Sequence, residues 1–289
     1  MMENGRWRME DGRSIFPFPF SLLHLPLSIF KDWDVALSFF LADLHIHTVL
    51  SPCAEAEMFP ELIVKRAQEL GLGLIAVTDH NSSENAAAVL TAAKGTGITV
   101  LPGMEVQTRE EVHLLCLFDT LEQAALWQKE VYAHLPPLKN REDVFGMQVV
   151  LNAEGDIVGH NDRLLLTSTS FSVEEVVQRV HGLNGLCIPA HVDRPAYSII
   201  ANLGFIPPDL DIVGVEISHL VGPKEARARF PQLERYSLVA NGDAHRLKEM
   251  AKRTTLQMAE ATVAELSLAL AGEGDRGVWV DGIRSVRCS

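Results

Sequence analysis

The chain has 289 residues, 47% of them hydrophobic and 22% charged, with a formal net charge of -13. That is enough for one large α/β domain with a sizeable core, and the acidic balance, with no run of Lys or Arg, excludes an electrostatic clamp on long nucleic acid. It does not exclude a small phosphorylated substrate, because bound divalent cations invert the local field.

Residues 1–40 differ in character from the rest of the chain. The apolar run from Ser14 to Phe30 is interrupted by Pro17, Pro19 and Pro26, which argues against a spanning helix. Lys31-Asp32-Trp33-Asp34 is no signal-peptide cleavage site. The segment reads as an extension, poorly ordered or packed at the periphery, with no membrane expected, and the main domain as 41–289.

From Leu41 onward strands and helices alternate. A first strand, Ala42-Asp43-Leu44-His45-Ile46-His47-Thr48, carries two histidines one residue apart. In extended backbone, i and i+2 share a face, so both imidazoles aim at one point. Pro60 to Leu70 reads as a helix closed by Gly71. Gly73 to His80 is an apolar strand ending in Asp79-His80, and Ser83 to Lys94 an alanine-rich helix. Ile98 to Val106 is a strand carrying Glu105, and Glu111 to Phe118 another carrying His113. Leu121 to His134 is helical up to Pro136-Pro137.

Residues 139–169 break the rhythm with a hairpin pattern around Asn152-Ala153-Glu154-Gly155-Asp156, read as an insertion. Ser172 with Glu175 forms a capping box. Gly185 to His191 is a strand ending in His, Asp211 to Ser218 another, and Leu238 to His245 ends in Asp243-Ala244-His245. A helix over Val263–Ala271 precedes a last strand over Gly277–Val280. Apolar strands separated by helices predict a parallel sheet closed into a barrel.

Five strands thus end in ligand-type residues: His45 and His47, Asp79 and His80, Glu105, His191, Asp243 and His245. Imidazoles mixed with carboxylates suit Mn²⁺, Fe²⁺ or Zn²⁺. The ligands are too many for one ion, so two or three metals are expected. Clustered metals activate water and clamp the oxygens of a phosphoryl transfer. The four cysteines, Cys53, Cys116, Cys187 and Cys288, lack CxxC pairing and read as reduced thiols of a cytoplasmic protein. His24, His134, His160, His181 and His219 have no supporting context and read as surface or packing residues.

Asp43-Leu44-His45-Ile46-His47-Thr48, Thr78-Asp79-His80, Gly103-Met104-Glu105, Pro189-Ala190-His191 and Gly242-Asp243-Ala244-His245 resemble, in order and spacing, the motif series of the PHP (polymerase and histidinol phosphatase) family. The resemblance covers about Leu41 to Leu270. It implies an α/β fold, a distorted (β/α)7 TIM-like barrel with a hairpin-containing insertion, and a trinuclear metal site. His45, His47, Glu105 and Asp243 would hold one ion. Glu105 would bridge to a second, completed by His113 and His191, and His80 and His245 would hold the third.

Many members continue the first motif with Ser-Asp-Gly, whose Asp helps bind the third metal. Here the segment is Ser51-Pro52-Cys53-Ala54-Glu55-Ala56-Glu57-Met58, so Glu55 or Glu57 would substitute, with Cys53 also within reach. Asp79 is expected to orient a ligating imidazole. Arg194 is the candidate contact for substrate phosphate, against the alternative of a local ion pair with Asp193.

The expected activity is hydrolysis of a phosphomonoester or nucleotide phosphodiester, including a short oligonucleotide end, by a metal-activated hydroxide. Asp243 or His245 would protonate the leaving group. The alternatives are a histidinol-phosphatase-type activity, a non-catalytic module of a larger assembly, and a metal-dependent amidohydrolase, for which no strand-end lysine is present.

Overall fold

A computed structural model describes residues 36–287. The expectation for residues 1–35 therefore lies outside the described residues, as does Cys288. In chain order the elements are β1 (Ser38–Ile46), α1 (Pro60–Leu70), β2 (Leu74–Val77), α2 (Ala86–Ala92), β3 (Thr99–Gln107), β4 (His113–Leu117), α3 (Leu121–His134), α4 (Glu142–Phe145), β5 (Val149–Leu151), β6 (Ile157–His160), α5 (Val173–Gly182), β7 (Leu186–Pro189), α6 (Ile199–Leu203), β8 (Gly214–Ile217), α7 (Pro223–Arg229), β9 (Ser237–Ala240), β10 (Thr254–Met258), α8 (Val263–Ala271), β11 (Gly277–Val280) and β12 (Ile283–Arg284).

The local signals act as their chemistry dictates. Pro60 sits in the first turn of α1, and Gly71 ends it at φ 73, donating its N–H to the carbonyls of Ala67 and Gln68. At α5, Glu175 N–H donates to Ser172 Oγ at 3.1 Å and Ser172 N–H to Glu175 Oε2 at 2.8 Å, the reciprocal pairing of a capping box. The hairpin of β5 and β6 turns over Asn152 to Asp156, with Asn152 N–H donating to Asp156 O at 2.9 Å.

Eight strands form one sheet in the order β12-β11-β10-β1-β2-β3-β4-β7, and β8 pairs with β9 in a separate parallel sheet. β8 borders β7 and β9 borders β11, so the small sheet spans from the β7 end of the larger one to β11, next to its other end. The expectation of a parallel sheet needs correction. Within the large sheet only β1, β2 and β3 run parallel, while β3/β4, β4/β7, β1/β10 and β10/β11 are antiparallel. A parallel pair requires a crossover of about a dozen residues, and the connection between Gln107 and His113 is far shorter.

The strand β10 also escaped the sequence reading. It pairs with Ser38 to Ala42, which is why β1 starts at Ser38 rather than Leu41.

Burial explains the apolar character of the central strands. Leu44, Leu74, Ala76 and Leu101 pack inward with Leu115 and Ile188. Ile75, Val77 and Val100 pack outward on Ile63, Val64 and Ala67 of α1 and Val89 of α2. A third cluster joins β4 to α3 and α5, with Trp127 stacked on Phe171 at 5.5 Å. Among the described residues no helix is long and apolar enough to cross a membrane, and Cys53, Cys116 and Cys187 are free thiols.

Candidate metal centre

Because β1, β2 and β3 are parallel, their C-terminal ends lie side by side and bring His45, His47, Asp79, His80 and Glu105 to one mouth. His113 joins them because β4 is antiparallel to β3, in a register that pairs His113 with Gln107. His191 comes just after β7, and Asp243 and His245 just after β9. His191 and Asp243 both adopt left-handed backbone, φ 30 and φ 46, which turns each side chain back over the strand ends.

Glu105 lies at the middle of this group and is 1% exposed. Its Oε1 is 2.7 Å from His113 Nδ1, 3.2 Å from His191 Nε2 and 3.4 Å from His45 Nε2. Its Oε2 is 2.9 Å from His80 Nδ1 and 3.6 Å from His47 Nε2. Asp243 Oδ1 stands 3.3 Å from His45 Nε2 and 3.4 Å from His47 Nε2. Arg194 Nη1 is 2.5 Å from Asp243 Oδ2.

Hydrogen bonds set the tautomers. A carboxylate only accepts, so the His45 Nδ1 contact with Glu216 at 3.0 Å puts a proton on Nδ1 and leaves Nε2 as the ring atom that faces Glu105 and Asp243. Ser51 Oγ donates its single proton to Asp79 Oδ1 at 2.7 Å, so it accepts from His47 Nδ1 at 3.0 Å, and His47 Nε2 faces the centre in the same way. Asp79 therefore acts on His47 through Ser51, held by Thr48 N–H and Thr48 Oγ1, each at 2.7 Å.

Electrostatics agree with this picture. Burial alone would raise the Glu105 carboxyl, but the imidazoles of His113, His45 and His80 hold it well below the usual range. Burial likewise opposes ionisation of Asp243, yet His45 and His47 hold it well below its ordinary value. Burial would lower His45, but the carboxylates of Glu216, Asp243 and Glu105 hold it well above an ordinary imidazole. His47 is driven the other way, by burial and by the neighbouring charge of His245 and His80.

The residues fit divalent cations. His45 Nε2 and His47 Nε2 are buried ring nitrogens with no hydrogen-bond partner, an arrangement that costs about 1–3 kcal/mol per group unless a cation is bound. Three sets of donors converge within 4.8 Å of one another: His45, His47 and Glu105; His80, Glu105 and His113; His47, His80 and His245. The sequence profile of the PHP domain matches residues 43–189, over half of the chain. The chain belongs to the PHP domain family.

Among relatives of this PHP domain, the 5'-3' exoribonuclease Rnm of Salmonella typhimurium (strain LT2) is 34% identical over 84 residues, which is 26% of each chain. Rnm of Escherichia coli (strain K12) is 34% identical over 83 residues, again 26% of each. In fold, the PHP domain is similar to the lesion-specific endonuclease PfuEndoQ of Pyrococcus furiosus, with a TM-score of 0.64 at 20% identity over 83% of this chain and 58% of that one. It is similar as well to Endonuclease Q in complex with a 27-mer duplex bearing an abasic lesion at the active site, with a TM-score of 0.60 and the same identity and coverage. The chain thus spans less than two thirds of the length of each.

Not every expected residue of the PHP domain reaches the centre. Glu55 is paired with Arg246 at 3.1 Å, and Glu57 Oε1 accepts Leu247 N–H at 3.0 Å; both are exposed, and neither belongs to a converging set of donors. Arg194 pairs with Asp243 instead of Asp193, whose carboxylate accepts Ser218 N–H and Oγ–H, each at 2.6 Å. His134, His160 and His181 lie elsewhere, against Glu130 O, Glu142 and Asp211. His219 lines the outer flank of the cleft beyond Arg194, and His24 is outside the described residues.

Three residues that sequence reasoning missed hold the clustered side chains in place. Glu216 orients His45. Asn241 accepts Leu44 N–H at 3.0 Å and donates to Glu216 Oε1 at 2.8 Å. Asp43 accepts Gly242 N–H at 3.0 Å and Ala251 N–H at 2.7 Å, tying β1 to the loop of Asp243. Burial, only partly offset by these bonds, pushes its carboxyl up to about 7. A lone acid in the buried run Gly214–Ile217 was the available signal, since such a group must be paired.

A cleft of about 560 Å³ opens over the centre, walled by Phe145, Leu166, Arg194 and Tyr197. The Tyr197 ring stacks on His113 at 4.8 Å.

Proposed function

We propose that this PHP domain is a metal-dependent phosphoric ester hydrolase acting on a phosphomonoester or nucleotide phosphodiester, including the end of a short oligonucleotide. In this reading the strands form a distorted (β/α)7 barrel with the β5/β6 hairpin in an insertion, and the cleft is its active-site mouth. The observation that carries the proposal is Glu105, a buried carboxylate faced by the imidazoles of His45, His80, His113 and His191. Nothing in a purely structural module requires so many ionisable groups on one carboxylate.

His45, His47, Glu105 and Asp243 would hold one ion, with Glu105 shared by a second at His113 and His191, and a third at His80 and His245. Two or three ions of Mn²⁺, Fe²⁺ or Zn²⁺ suit these donors. Bound there, they supply an activated water and neutralise charge on the phosphoryl oxygens.

The chain's own residues do the rest. Arg194, anchored on Asp243, presents a planar fork that matches two phosphate oxygens. Tyr197, Phe145 and Leu166 give the cleft an apolar wall for a base or sugar. Asp243, held ionised, serves as ligand and as the anchor of Arg194. His245 would bring a proton to the departing oxygen, directly when protonated or through water that it orders when it ligates. The relatives named exoribonuclease and the structures named endonuclease support a nucleotide substrate. Free thiols fit a reducing, cytoplasmic setting.

The test is phosphate or nucleotide release from a panel of monoesters, cyclic and bis-phosphorylated nucleotides and short oligonucleotides, after chelation and again with Mn²⁺ or Zn²⁺ restored. Metal-restored turnover supports the reading, and the preferred member names the substrate class. Silence across the panel, in protein shown to carry metal, overturns it.

A further inference from the structure

The outer lobe of the centre has three imidazoles and no carboxylate of its own. His47, His80 and His245 bring their ligand atoms within 4.8 Å of one another. His47 Nε2 is fully buried there without a hydrogen-bond partner, and the His47 and His245 rings stack at 4.1 Å. The two acids of the preceding loop are committed to Arg246 and to Leu247 N–H. The side chain that does reach the lobe is Cys53. Its side chain, exposed to the cleft, lines it beside His80 and His245 and lines the adjoining hollow beside Asp243 and His245. The loop that carries it is pinned to the same place, since Glu55 N–H donates to the His245 carbonyl at 2.9 Å.

We propose that Cys53 is a ligand of the ion held by His80 and His245, giving this PHP domain one thiolate-bearing position beside two oxygen- and nitrogen-ligated ones. The inference rests on the proposed function, in which the site is a metal centre. On binding, the Sγ–H bond breaks, its proton leaves to solvent, and the sulfur lone pair goes to the ion. A thiolate with two imidazoles suits zinc or ferrous iron and disfavours manganese and magnesium. The three positions would therefore not share one metal preference. Replacing the thiol by a carboxylate, Cys53→Asp, should lower the zinc-over-manganese preference of that position by about tenfold or more.

Cobalt(II) reports directly on the bond, because a cysteine ligand adds a thiolate-to-metal charge-transfer band in the near ultraviolet that nitrogen and oxygen ligands do not give. Chelated wild-type protein reloaded with Co²⁺ should show the band, and Cys53→Ser, with unchanged far-ultraviolet circular dichroism, should lose it. Alkylation of Cys53 by iodoacetamide, read out by peptide mass spectrometry, should slow at least tenfold when Zn²⁺ is loaded. Metal-loaded wild type without the band, or with Cys53 alkylated equally fast with and without zinc, overturns the ligand assignment and leaves the metal centre standing. Wild type that binds neither Co²⁺ nor Zn²⁺ overturns both.

Discussion

Glu216 Oε2 lies 3.0 Å from His45 Nδ1 and accepts the backbone N–H of His191 at 2.9 Å. One buried carboxylate thereby ties together two histidines of the centre, one on β1 and one just after β7. Partners of this kind typically contribute 10- to 100-fold to metal affinity, so Glu216→Gln should weaken Mn²⁺ or Zn²⁺ binding by about that factor. Calorimetric titration of the chelated protein reads it. Unchanged affinity would mean that the His45 ring is held by packing alone.

His45→Ala and Asp243→Ala each remove a donor that faces the shared carboxylate. Turnover on whichever substrate the panel identifies should fall by about 100-fold or more, the scale of losing a positioned reactive group, and bound metal per chain should drop. Elemental analysis alongside circular dichroism checks this. Full metal loading with normal turnover in either variant would sink the assignment.

Acid should strip the centre, and the sign comes from the imidazoles. His45, His80 and His245 hold protons more tightly than an ordinary imidazole in the metal-free site: burial alone would lower each, but facing carboxylates outweigh it at His45 and His80, and the Cys53 thiol and Asp243 at His245. An ion must displace those protons. Apparent metal affinity should therefore rise with pH through 6.5 and keep rising above it, where a cluster of unperturbed imidazoles would level off. A titration that flattens below 6.5 contradicts the proximity of those partners. Activity should be lost below about pH 5 for the same reason.

Gly242 precedes Asp243, and a Cβ there would stand 2.5 Å from Glu249 O and 2.9 Å from Asp43 Oδ2. Gly242→Ala should cost about 1–3 kcal/mol of stability and also weaken metal binding, since relief of the clash moves the Asp243 loop. Denaturant unfolding with metal titration separates the two effects. Retention of both would show the loop to be more adaptable than its hydrogen bonds suggest.

Trp127→Ala provides the contrast. The ring projects from α3 onto Phe171, in an apolar cluster apart from the imidazoles and carboxylates of the centre, so the variant should lose about 3–5 kcal/mol. Metal affinity of the folded fraction should stay the same. A matching loss of affinity would tie the α3 cluster to the mouth of the sheet.

The convergence of side chains at strand ends was legible because strand periodicity is local: two residues in an extended chain are enough to point His45 and His47 together. Asp79-His80 and Asp243-Ala244-His245 announce themselves for the same reason, as polar endings on apolar runs. Glu216 was hidden because its partner His45 is 171 positions away, and no local pattern encodes that meeting. The loop acids misled because Glu55 and Glu57 have the right chemistry and lie near the motif. Their partners Arg246 and Leu247 come from the far end of the chain. The direction of β4 was readable after all, in the few residues between Gln107 and His113, but alternation of strands and helices outweighed that length.

The left-handed backbone at His191 and Asp243 has an evolutionary side. Residues with a Cβ pay roughly 1–3 kcal/mol to stay in such sparsely populated conformations, and glycine would relax either position at once. Selection for thermal robustness alone would drift towards glycine there and erase the ligands, because stabilising changes are easy to find and indifferent to chemistry. A library screened only for heat resistance should therefore enrich glycine at 191 and 243 in variants that no longer retain metal, making these two positions a built-in record of which pressure the chain has been under.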